Sequence, residues 1–91
     1  MDFNKYDDII NNNKYEMLFI YIYYSLKNHD DFDSLTDNQK ETLIEFIHDT
    51  YLKDNGYMDL GIICTTALIY KDEILSNKLD CYTLLEYCYN A

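Results

Sequence analysis

The chain has 91 residues, with 17 acidic side chains against seven basic ones and a formal net charge of -10. All seven basic residues are lysine, so the clustered Lys and Arg that grip phosphates are missing; the composition argues against direct nucleic-acid binding and against an anionic membrane. One domain is the expected organisation at this length, and an apolar fraction of 48% with 11 tyrosines excludes a disordered acidic tail.

The spacing predicts a short first helix over about residues 2–11, with Phe3, Tyr6 and Ile10 on one face. Asn11, Asn12 and Asn13 interrupt it, since Asn favours turns and helix ends. A second helix is expected from about Lys14 to Asn28. Its middle, Met17 to Tyr24, is apolar all round, the mark of a helix central in a core. A strand is the competing reading for this Ile, Tyr and Phe-rich stretch. Helix is preferred because the run continues through Leu26 without a turn signal and finds no second strand to pair with.

His29 to Ser34 is an acidic connector. Thr36 with Gln39 three residues later forms a capping-box pattern, opening a third helix from Asp37 to about Lys53. Leu43, Ile44, Ile47 and Tyr51 form its apolar stripe. Asn55 and Gly56 supply a left-handed stop. Asp59 caps a fourth helix, about Leu60 to Ser76, whose apolar side carries Leu60, Ile63, Cys64, Ala67, Leu68, Ile74 and Leu75. Gly61 weakens its start. Asp80 caps the last helix, where Cys81, Leu84, Leu85 and Cys88 follow the i, i+3, i+4, i+7 rule. The expected fold is all-α, a compact single-domain bundle of four to five helices spanning residues 1–91.

Catalytic and metal patterns are weak. Cys64, Cys81 and Cys88 are odd in number and form no CxxC pair, so neither a disulfide framework nor a zinc site is indicated. In a helix Cys81 and Cys88 lie roughly 10 Å apart along the axis, beyond disulfide reach. A Cys–His nucleophile would need Cys64 beside His48, and no local motif supports it. Lys53 to Gly56 resembles part of a calcium loop. With Gly56 at the sixth position, however, the first, third and twelfth positions fall on Tyr51, Lys53 and Ile62, which supply no carboxylate. No cofactor and no enzymatic activity are expected. The N-terminus lacks the basic start and apolar run of a signal peptide, and Met17 to Leu26 is about half a membrane span, so the expected compartment is the cytoplasm.

Surplus negative charge is the strongest functional signal. Asp37, Glu41, Glu45 and Asp49 recur every four residues, where like charges repel by a few tenths of a kcal/mol per pair. Only Asp49 has a lysine four residues on, at Lys53. Asp30, Asp31 and Asp33 extend the track upstream. An acidic helix face is often only a solvated face, and Asp37 also complements the helix dipole. The alternative is a face kept for a basic partner. The ladder rises about 18 Å, a span over which one DNA strand places about five phosphates, roughly 3.4 Å apart.

In size, charge and this track, the chain resembles the anti-CRISPR proteins and other DNA mimics of phages and mobile elements. That resemblance implies a non-enzymatic inhibitor. It would fill the nucleic-acid groove of a basic nucleic-acid-handling protein, such as a CRISPR effector or nuclease, through Asp30, Asp31, Asp33, Asp37, Glu41, Glu45 and Asp49. Acidic immunity proteins against nuclease toxins are similar in size and charge. The alternative expectation is a helical adaptor or homodimer using a tyrosine-bearing apolar face. Tyr21, Tyr23, Tyr24 and the C-terminal tyrosines are the interface candidates, although for any single tyrosine the core is the expected place.

Overall fold

The computed structural model describes residues 17–90. The expected first helix and the expected start of the second lie outside the described residues. Six helices follow in order: α1 (Met17–Leu26), α2 (Asp30–Asp33), α3 (Asp37–Asp54), α4 (Leu60–Ile69), α5 (Lys71–Leu75) and α6 (Cys81–Tyr89). No strand occurs among the described residues, so the fold is all-α; these residues alone carry six helices, above the four to five expected for the whole chain.

Each boundary has a local cause. At the start of α3 the Gln39 N–H donates to Thr36 Oγ1 at 3.2 Å, and the Thr36 N–H donates to Gln39 Oε1 at 2.9 Å, completing the capping box. Asn55 stops the helix in the left-handed region at φ 59°, and Gly56 follows at φ 81°. Asp59 accepts from the Gly61 N–H at 2.7 Å to open α4. Asp80 accepts from the Thr83 N–H at 2.8 Å to open α6, and this bond holds the Asp80 carboxyl below its ordinary range.

Three expectations require correction. The connector before α3 contains its own helical turn, α2, because Phe32 is fully buried and anchors it. The helix expected over residues 60–76 is broken at Tyr70, where the backbone leaves helical values and the ring stacks on Tyr87 of α6, with centroids 4.5 Å apart. Beyond the break, Asn77 adopts φ 59°; its N–H bonds to the Ile74 carbonyl and the Lys78 N–H to that of Glu73, a Schellman closure. Finally, α1 is not surrounded by core. Phe19, Ile22, Tyr23 and Leu26 face inward, whereas Met17, Tyr21 and Tyr24 stand in solvent.

The core gathers α1, α3, α4 and α6. Its fully enclosed members include Ile22, Leu26, Leu43, Ile44, Ile47, Ile63 and Leu84. The long α3 packs on α1, α4, α5 and α6 and is the central element. Burial of its stripe, at about 25 cal/mol per Å² of apolar surface, is the main force holding the bundle together.

Candidate functional site: an acidic face beside a buried lysine

The acidic track does not form one uniform surface. At about 100° per residue, the step from Asp37 to Asp49 turns the side chains through roughly a third of the helix circumference. Asp37 and Glu41 are consequently half-buried at the flank of α3, and Glu45 and Asp49 are exposed on its outer side. Asn38, Thr42, Leu52 and Lys53 share that outer side. Asp30 and Asp31 are exposed on α2, while Asp33 is half-buried. Among the seven candidate positions, four therefore face solvent and three turn partly inward.

Lys40 explains part of this division. It is fully buried, with its ammonium 5.4 Å from the centroid of the Phe32 ring. Desolvation lowers its pKa, and the charges of Asp33 and Asp37 act in the opposite direction. Asp33 Oδ1 is itself buried and accepts no hydrogen bond among the described residues. The charges of Asp33 and Asp37 thus act on the buried ammonium from within the fold. The sequence reading missed Lys40, although the signal was present: Lys40, Leu43, Ile44 and Ile47 follow the i, i+3, i+4, i+7 rule of a buried stripe.

The Lys40 charge carries a testable stability consequence. Its folded pKa lies below its unfolded value, so the protonated side chain opposes folding at neutral pH. That opposition disappears as pH rises through the ordinary lysine value of about 10.4. Its place in the first turns of α3, against the helix dipole, works in the same direction. Lys40→Met keeps the stem and removes the ammonium, and is expected to raise the urea midpoint at neutral pH. A lowered midpoint would mean that attraction to Asp33 and Asp37 outweighs desolvation.

A second carboxylate, Asp54, sits buried at the C-terminal end of α3. One oxygen accepts from the Met58 N–H, and the other accepts from the Tyr89 hydroxyl at 2.6 Å. This arrangement ties the α3–α4 turn to the end of α6. It also commits Asp54 to the fold, so the fragment resembling a calcium loop has lost its nearest carboxylate to structural work.

Two of the thiols, Cys64 and Cys88, are held in the protonated form. Burial, with the Asp59 charge adding to it, pushes Cys64 up to about 12. Burial likewise raises Cys88. His48 lies 3.6 Å from Asp49, with Nδ1 towards the carboxylate. Among the described residues, no group of three or more His, Cys, Asp or Glu side chains converges as a metal shell. No helix among them is long and apolar enough to cross a membrane.

The tyrosines reverse the expectation of a core location. Among the described ones only Tyr23 is buried, Tyr51 and Tyr70 are half-buried, and Tyr21, Tyr24, Tyr57, Tyr82, Tyr87 and Tyr89 are exposed. Comparison of the chain with protein-family models, with curated proteins and with solved structures finds no match in any of the three.

Proposed function

We propose that this protein is a non-enzymatic inhibitor that binds a basic nucleic-acid-handling protein, in the manner of an anti-CRISPR protein, and obstructs its nucleic-acid groove. The supporting observation is the pair Glu45 and Asp49, one turn apart on the exposed side of the longest described helix. Asp30 and Asp31 add charge from a turn fastened by Phe32. A net charge of -10 steers a cationic groove towards them. Asp33 and Asp37 are better assigned to Lys40, so the proposed contact centres on Glu45 and Asp49, with Glu41 at its edge.

Affinity capture from a host lysate, followed by cleavage assays with each effector or nuclease recovered, tests this reading. For such a partner, the double variant Glu45→Gln with Asp49→Asn is expected to weaken binding about tenfold or more, a loss of about 1.4 kcal/mol. It is also expected to flatten the salt dependence. Its fold is expected to be retained, since removing an i, i+4 repulsion is worth only a few tenths of a kcal/mol. Unchanged affinity in that variant would reject the acidic face as the interface.

A further inference from the structure

Between Lys27 and Lys53 the chain carries seven acidic residues and a single lysine, Lys40. That one cation is not on the surface. It takes a place on the inward stripe of α3 that the repeat would give to an apolar residue, and it is fully enclosed. Taking an ammonium out of water is unfavourable, and an uncharged side chain of similar length would fill the space without that penalty. The charge at this position therefore needs a reason.

The turn α2 supplies one. Three of its four residues are carboxylates, and they are placed differently: Asp30 and Asp31 are exposed, whereas Asp33 is half-buried with Oδ1 enclosed. Four residues cannot hold a helix by their own hydrogen bonds. Phe32 anchors the turn, but a ring among apolar groups is held by a non-directional force and leaves the turn free to rock about it. The Lys40 ammonium restricts that freedom. It lies 5.4 Å from the centroid of the Phe32 ring, and the charge of Asp33, the next residue, attracts it. Asp37 attracts it as well, but Asp37 belongs to α3, as Lys40 does, and links no second element. Phe32 and Asp33 do.

We infer that Lys40 is a positioning residue, whose buried ammonium fixes the setting of α2 so that Asp33 turns inward and Asp30 and Asp31 face solvent. Selecting one arrangement at the expense of stability is an attested use of buried ionic groups.

Amide hydrogen exchange of the full chain, read residue by residue by NMR, tests this. The reporters are the Asp33 and Ser34 N–H groups, which bond to the His29 and Asp30 carbonyls. In Lys40→Met these are expected to exchange about tenfold faster, with the Leu43, Ile44 and Ile47 amides of α3 slowed or accelerated less. Asp33→Asn is expected to act in the same direction, and the double variant to fall short of the two effects combined. Asp30→Asn removes the same charge from the exposed side of the turn and is expected to accelerate neither reporter. Reporters that are unchanged or slower in Lys40→Met would overturn the inference. So would an equal acceleration of the α3 amides, the mark of a general structural role, or an equal effect of Asp30→Asn. The consequence for binding rests on the proposed function. Lys40→Met makes the chain one charge more negative, which by steering alone would tighten capture of a basic partner. With Asp30 and Asp31 no longer fixed, a loss of about threefold is expected instead. Tighter binding beside faster exchange would count against α2 in the contact, not against its setting by Lys40. The exchange experiment needs no partner, so the two readings fail separately.

Discussion

Phe32→Ala is expected to lower stability by about 3–5 kcal/mol, the range for deleting a buried phenylalanine. The residue is fully enclosed, meets Tyr23 edge-on with ring centroids 6.5 Å apart, and lies beside the Lys40 ammonium. It belongs to a helix of four residues, too short to hold together by its own hydrogen bonds. The ring is what makes α2 part of the fold. For a domain this small, whose whole stability is of order 5–15 kcal/mol, the loss is severe. The melting temperature is expected to fall by about 12 °C or more. Urea and thermal unfolding check this, with Asp30→Asn on the exposed side of α2 as a control expected to stay within about 0.5 kcal/mol. A loss under about 1 kcal/mol for Phe32→Ala would mean that the connector packs independently of the core. The same variant bears on the proposed function. Freeing α2 leaves the charges of Asp30 and Asp31 intact but no longer positioned, so binding that depends on a fixed track is expected to weaken.

Asp54→Ala is expected to cost about 1–3 kcal/mol, because it orphans the Met58 N–H and the Tyr89 hydroxyl together. A carboxylate at the C-terminal end of a helix opposes the dipole, and these two donors offset that. Tyr89→Phe is expected to cost less, since its ring is exposed and only the hydroxyl reaches inward. The double variant is expected to fall short of the sum, the signature of a shared hydrogen bond. Titration offers an independent check. The hydrogen bond to Asp54 raises the Tyr89 pKa above its ordinary value of about 10. A group whose folded pKa is raised stabilises the fold below its unfolded pKa and loses that effect as pH climbs through the folded one. The stabilising effect of Tyr89 therefore persists through neutral pH and fades only under strongly alkaline conditions. In Asp54→Ala the Tyr89 ring signals are expected to titrate earlier. An unmoved titration would mean that the Tyr89 hydroxyl does not donate to Asp54.

Local chemistry made much of the fold legible. The box of Thr36 and Gln39, the αL residue Asn55 and the caps Asp59 and Asp80 all act within four residues of the groups they satisfy. Periodicity likewise identified Leu43, Ile44 and Ile47 as the inward side of α3, because burial of a helix face needs only a 3.6-residue repeat. The same repeat carries Lys40, Thr50 and Asp54 along the buried stripe. Reading polarity ahead of period concealed them.

The candidate site was less legible, for a physical reason. Four-residue spacing establishes that Asp37, Glu41, Glu45 and Asp49 are neighbours, but not which of them the bundle covers. The exposure of Glu45 and Asp49 depends on how neighbouring elements lie against α3.

The chain by itself determined its helices, their ends and its excess of negative charge, since these follow from contacts between near neighbours and from composition. Only the tertiary structure decided that Phe32 lies against Lys40, that Asp54 meets a hydroxyl 35 residues away, and that the uncharged α1 keeps one side in water. Those outcomes depend on which surfaces long-range packing brings together, and no short spacing along the chain encodes that choice.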